Sequence, residues 1–357
     1  MELEVEDVME YEVDIYFRVR QIDGGFEWFA IRGDDKSGED YKELEPALPS
    51  PQPGHQTTFS SSGVVGSTIY VIGGFNRSLF NFDVFGSWIG HALAKDVYYI
   101  DTKNPTGGWK RGKSMLKSRG FAHTVTVDSK MYVFGNIAKN HSLEDGEGFL
   151  IGEVFNTGDS TWLPLSCKVP PSLQFAQFYA HAVLDDNKKM ILLHGLHDPN
   201  LYSYDIGSDK WDIYAESCLG PEGIRSSALV DGVLYYVDHE TPGVMFALDL
   251  DDISNPEKKL QEVTGVDEVN YKWPPNEDPR LSGPKEKLFS LGNSLLAMVW
   301  AMSFSACGPE KIAVYCSKLK MSRQRDEHTG QVTFRAQRLS RSSYLVKGTS
   351  FNNCVSV

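Results

Sequence analysis

The chain has 357 residues, 41% of them hydrophobic and 23% charged, which is an ordinary balance for a globular protein able to bury a core. Its net charge of −13 excludes general nucleic-acid binding, because a phosphate backbone would be repelled overall. The five cysteines, Cys167, Cys218, Cys307, Cys316 and Cys354, are odd in number and widely spaced with no CxxC pair; this excludes a disulfide framework and a zinc site.

Residues 1–12 are acidic, carry no apolar core of a signal peptide, and read as a flexible tail. The longest apolar stretch, near 295–302, is too short to cross a bilayer. Reduced thiols and the absence of targeting signals point to the cytoplasm or nucleus.

In chain order, 14–20 and 26–31 flank Asp23-Gly24-Gly25 and predict a hairpin, since Asp-Gly between alternating residues favours a tight turn. Residues 34–52 read as a polar, proline-containing connection. The first full unit follows, with strands at 57–65, 68–74 and 97–101 and an outer strand at Trp109. A second unit has a hairpin at 122–128 and 130–135, then 152–156 and 161–165 with Trp162. A third runs 180–185, 190–195, 201–205 and 211–214 with Trp211. In the fourth, 226–230, 233–237 and 244–249 precede a strand near 260–263 that has no Trp. The fifth has 287–291, 295–302, 311–317 and 332–338. Residues 343–357 read as two further strands around Lys347-Gly348. Long surface loops are expected at 75–96, 136–148 and 267–285.

A phrase of strand, glycine, strand, turn and Trp that returns about every 45–60 residues predicts a β-propeller with one blade per copy. Two strands from each terminus, 13–32 with 343–357, would share a sixth blade and hide the edges that an open array exposes. The expected fold is therefore all-β, a six-bladed propeller occupying 13–357 as a single domain.

The repeated phrase resembles kelch repeats, whose hallmark is a double glycine ending the second strand, then a Tyr, then a Trp in the fourth strand. Gly73-Gly74, Tyr98 and Trp109 match it fully; Gly135 with Trp162, and Gly195 with Tyr204 and Trp211, match in part. The wording of the first three units (DVYYID, FNTGDSTWLPL, NLYSYDIGSDKWD) is also similar to plant F-box/kelch proteins. The resemblance implies a six-bladed kelch-type propeller and a non-enzymatic, protein-binding role, related to ubiquitin-ligase substrate adaptors. An F-box needs a helical module ahead of the propeller; the strand-like 14–31 leaves no recognisable one. The matched glycines and tryptophans read as structural: glycine permits close backbone approach, and Trp fills the space between sheets.

Two chemistries known on this scaffold are not matched. The iron site of the glucosinolate specifier proteins needs Glu, Asp and His at four-residue intervals, which do not occur here. The copper site of galactose oxidase needs two His and two Tyr, one cross-linked to Cys, and no such grouping is found. Neither metal nor cofactor is expected.

In a propeller, the loops between second and third strands share one face with the blade-to-blade connections. Loop 75–96 carries Arg77, Phe80, Phe82, Phe85 and Trp88, and the connections add Arg119, Phe121, Phe175, Phe178, Tyr179 and Arg225. Long aromatic loops rimmed by Arg are what a partner-binding face needs. The expected partner is therefore a protein, with no membrane and no general nucleic-acid contact, and the chain itself a monomer. The alternative is a small-molecule site at the channel mouth, with His123, His181 and Arg225 as polar anchors. The basic run Lys318, Lys320, Arg323, Arg325, Arg335, Arg338, Arg341 and Lys347 reads as a solvated outer strand pair.

Overall fold

The computed structural model describes residues 13–35, 41–51, 57–58, 60–76, 93–135, 151–165, 178–185, 188–195, 198–219, 224–238, 244–251, 261–266, 286–302 and 310–357. Runs rich in Val, Ile, Tyr and Phe, which suit a pleated half-buried surface, form antiparallel sheets in chain order. Blade one orders Ser61–Val65, Thr68–Ile72, Val97–Asp101 and Lys110–Arg111. Blade two orders His123–Val127, Lys130–Phe134, Gly152–Asn156 and Thr161–Pro164, and blade three Phe178–Asp185, Lys188–Gly195, Leu201–Asp205 and Lys210–Ala215. Blade four orders Ile224–Val230, Val233–Asp238, Met245–Asp249 and Gln261–Glu262. Blade five orders Lys287–Gly292, Leu295–Met302, Lys311–Arg325 and Val332–Lys347, and the short strand Lys42–Glu43 adds to its outer edge in parallel.

The sixth blade closes the ring with both termini. Ser350–Ser356 is its innermost strand, followed outward by Ile15–Arg20 and Phe26–Ile31. Each innermost strand touches its neighbour in the next blade, and Ser350–Ser356 touches both Ser61–Val65 and Lys287–Gly292. The chain is thus a six-bladed β-propeller sealed by a shared blade.

The closing blade differs from expectation in its strand count. Only Ser350–Ser356 enters it from the C-terminus, so it has three strands. Residues 343–347 instead end the outer strand of blade five, where Tyr344 and Val346 pair with Val314 and Ile312 and share a core with Phe17, Phe29 and Phe351. Apolar alternation alone assigns these residues equally well to either sheet; the long partner strand decides it.

Blade five also reaches further than the sequence suggests. Its two outer strands form a hairpin of 15 and 16 residues that leans over blade four. There Ala336 donates its N–H to the carbonyl of Thr264, and Phe334 meets Tyr235 edge-on at 6.3 Å. Blade four has no outer Trp and an outer strand of only two residues. Met321, Val332, Phe334 and Ala336 of the next blade fill that space. In blades two and three the Trp does this work locally: Trp162 lies 4.8 Å from Phe155 and Trp211 4.9 Å from Tyr204. Trp109 packs 5.8 Å from Trp28 and donates its indole N–H to the carbonyl of Pro49, joining blade one to the closing blade.

The double glycine has a steric cause. Gly73 has φ +60°, and a Cβ there would sit 2.3 Å from the carbonyl oxygen of Arg119. That same oxygen accepts the N–H of Gly74 at 2.7 Å. Only a residue without a side chain lets the connection from blade one to blade two pass so close.

Candidate binding site in the central channel

The six innermost strands enclose a cavity of about 510 Å³. Each presents one backbone edge to it, and an edge without a strand partner must satisfy its N–H and C=O groups elsewhere. Side chains of the lining do so across the blade boundaries. Thr124 and Thr126 donate their hydroxyls to the carbonyls of Ser62 and Val64 at 2.7 and 2.6 Å, tying blade two to blade one. Asn353 donates to the carbonyl of Ser60 and the hydroxyl of Ser62 at 3.3 and 3.1 Å, tying the closing blade to blade one. Ser226 accepts the N–H of Leu288 at 3.0 Å, tying blade four to blade five.

Blades three and four are joined through imidazoles. His181 and His194 both place Nε2 on the hydroxyl of Ser227, at 2.8 and 3.0 Å, with their rings stacked 5.8 Å apart. A hydroxyl has one proton, so Ser227 donates to one ring and accepts from the other, and the two rings hold complementary Nε2 roles. Burial pulls His181 down to about 4. It pulls His123, whose ring lies 6.3 Å from that of His181, down to about 3, with His181 and Lys287 adding repulsion. His194 is lowered for the same reasons, burial first and the two neighbouring imidazoles after it. All three are neutral at physiological pH. The expected pairing of His123 and His181 at the channel is therefore found; His194 is the member that sequence reasoning missed.

Among the described residues that line the channel, Lys287 is the one cation and there is no carboxylate. It opens the innermost strand of blade five as His123 opens that of blade two, so both lie at the mouth where the blade connections arrive. Phe121 lines the same mouth with φ 52° and packs 5.7 Å from Phe75.

The expected partner face is corrected in part. Arg119 is fully buried and cannot meet a partner. Its Nε donates to Glu153 at 2.9 Å, and its Nη1 donates to the carbonyls of Gly135 and Ile151 at 2.6 and 3.0 Å. Burial lowers its pKa while the Glu153 charge and hydrogen bond oppose the fall. Phe178, Tyr179 and Arg225 lie within the innermost strands of blades three and four rather than in the connections before them. Arg77, Phe80, Phe82, Phe85, Trp88 and Phe175 fall outside the described residues, as do 1–12, 136–148 and 267–285.

The basic run lies on the outer strand pair of blade five, as its sequence suggests, with Lys320, Arg325, Arg335, Arg338 and Lys347 exposed there. Arg323 bridges Asp249 and Asp251 at 2.8 Å each, Arg341 lies over the rings of Trp300 and Tyr315, and Lys318 donates to the carbonyl of Gly33. Half-buried or paired, these side chains hold the blade-five hairpin to its neighbours. The signal in the sequence for these staples is the recurrence of Ser or Thr at the start of successive innermost strands: 60–62, Thr124 and Thr126, and Ser226-Ser227.

No protein-family model matches the chain. An F-box/kelch-repeat protein of Arabidopsis thaliana is 26% identical over 83% of this chain and 61% of its own length. A second from the same plant is 23% identical over 80% of this chain and 64% of its own length. The chain thus spans less than two thirds of these relatives. An N-acetylneuraminate epimerase of Haemophilus influenzae is 32% identical over 24% of this chain and 23% of its own length. A solved structure titled "Structure of YjhT" aligns with TM-score 0.45 at 13% identity, covering 83% of this chain and 99% of that one. The chain is a six-bladed β-propeller whose Gly-Gly, Tyr, Trp phrase resembles that of kelch repeats. Its relatives across most of its length are the F-box/kelch-repeat proteins of plants.

Proposed function

We propose that the chain is a non-enzymatic protein-interaction module that captures its partner on the mouth where loop 75–96 emerges. One observation carries the reading: both ends of that loop are pinned at the channel mouth. Phe75–Asn76 pairs with Thr57–Thr58, Phe75 is buried against Phe121, and Ala94 donates its N–H to the carbonyl of Gly74 at 2.8 Å. A rigid base presenting a long aromatic segment is a common arrangement for binding surfaces. The likeness to F-box/kelch-repeat proteins supports a protein-binding role, which we place beside ubiquitin-ligase substrate adaptors.

The test compares proteins captured by the wild type and by the double variant Phe85→Ser, Trp88→Ser at matched melting temperature. Loss of the captured set in the variant is expected. An unchanged set places the partner elsewhere on the ring.

A further inference from the structure

We propose that the acidic segment 1–12 docks on the cationic face of the blade-five hairpin, at the end of the ring opposite the channel mouth. The hairpin begins at the mouth with the pair Lys311 and Lys347 and runs away from it to the turn at 326–331. Beyond Lys318 its two faces differ. Leu319, Met321, Phe334 and Ala336 pack toward blade four. By the alternation of a strand, the opposite face carries Lys320, Ser322 and Gln324 against Gln337, Arg335 and Thr333. It holds no carboxylate, and its two cations, Lys320 and Arg335, are exposed. Among the described residues neither cation is ion-paired. The acids of the adjoining strands are engaged elsewhere: Asp249 and Asp251 hold Arg323, Asp35 holds Lys42, and Asp14 holds Arg32.

Position and charge name the occupant. The described chain starts at Val13, which packs on the core shared by blades five and six. Asp14 exchanges both backbone hydrogen bonds with Val357, at the end of the closing blade away from the mouth. The Asp14 carboxylate accepts the N–H of Gly33, whose carbonyl accepts Lys318 at the base of the cationic face. The segment that leads into Val13 therefore starts beside that face. Twelve extended residues reach at most about 40 Å, against roughly 25 Å from Lys318 to the turn. Glu2, Glu4, Glu6, Asp7, Glu10 and Glu12 supply carboxylates, and the segment has no Lys or Arg. Residues 267–285 mix Lys272, Arg280 and Lys285 among their acids and match the face less well. In a chain of net charge −13, most of the surface repels such a segment and a local cationic face collects it. The contact lies at the other end of the ring from loop 75–96, so it stands or falls apart from the partner face.

The test is carbodiimide cross-linking of the dilute full chain at low ionic strength, with the linked peptides identified by mass spectrometry. An amide between Lys320 and a carboxylate of 1–12, within the monomer, is expected. Arg335→Glu keeps Lys320 but reverses the charge beside it, and should lower the yield at least about fivefold. Salt at about 1 M, where the screening length is about 3 Å, should do the same. Lys347→Glu, at the mouth end of the same strand, should leave the yield unchanged. Should Arg335→Glu not fold, Arg335→Gln reads the same loss at about twofold or more. The proposal is overturned if Lys320 links to 267–285, only to a second copy, or not at all. It is overturned equally if the link forms but neither the Arg335 variant nor salt lowers its yield, because proximity alone then explains it.

Discussion

Replacing Glu153 by Gln should be among the most destabilising single changes of the ring. Both carboxylate oxygens are used: one accepts Arg119 Nε at 2.9 Å, the other accepts the N–H of Leu116 at 2.6 Å. Gln turns an NH2 toward one of those donors and removes the charge opposite a guanidinium with no exposed surface. Breaking one side of such a buried pair costs about 3–5 kcal/mol. With an unfolding entropy of roughly 2.1 cal/mol/K per residue, a cooperative unit of this size loses about 4–7 °C in melting temperature. The assay is urea unfolding of the wild type, Glu153→Gln, Arg119→Met and the double variant Arg119→Met, Glu153→Gln. The double variant should lose less than the sum of the singles, because neither charge is then left alone. A cost for Glu153→Gln below about 1 kcal/mol, or strictly additive singles, would refute the claim that this pair locks blade one to blade two.

Gly73→Ala should cost clearly more than Gly66→Ala: both glycines have φ near +60°, worth about 1–2 kcal/mol, but only at Gly73 does a Cβ meet a backbone oxygen at 2.3 Å. Equal urea midpoints for the two variants would show that the Arg119 carbonyl gives way freely. Deleting residues 350–357 removes the strand shared by both ends of the ring and should abolish the cooperative transition in calorimetry; a truncated chain that melts like the intact one would mean the ring is not closed there. Acidification should destabilise the fold. His123 and His181 are held neutral, at about 3 and about 4, so below the usual value near 6.5 the unfolded chain binds protons that the folded one refuses. Stability is therefore level above that value and falls below it by up to about 1.4 kcal/mol per pH unit for each imidazole, less where channel water solvates the ring. Urea midpoints from pH 7 to 5 should fall more gently in His181→Asn than in the wild type; parallel slopes would remove His181 from the account.

The blade count was legible because each unit repeats a strand hairpin with its own turn chemistry, such as Asp231-Gly232, both at positive φ. The blade-five hairpin was not, because its length depends on what blade four fails to cover. Nothing in 318–347 read alone says that Leu319, Met321, Phe334 and Ala336 face a neighbour whose outer strand has two residues. His123 and His181 could be placed at the channel from their equivalent offsets. His194 could not, because it sits on a second strand and reaches Ser227 only across a blade boundary.

Arg119 shows why charged residues mislead in a ring of this kind. A linear reading puts it in a blade-to-blade connection, where loops meet solvent, and so offers it to a partner. The connection instead runs over the glycine pair of the preceding blade, and its side chain turns inward to Glu153 and to two carbonyls of the next. Lys318 likewise reaches a carbonyl, that of Gly33, at another boundary. Radially packed sheets leave wedge-shaped seams at the ends of their strands, where unpaired carbonyls collect, and a long cationic side chain reaches them better than a short polar one. The cations that stitch seams are thereby removed from the binding surface. The partner surface we propose therefore depends on the loop whose ends are held at Phe75 and Ala94.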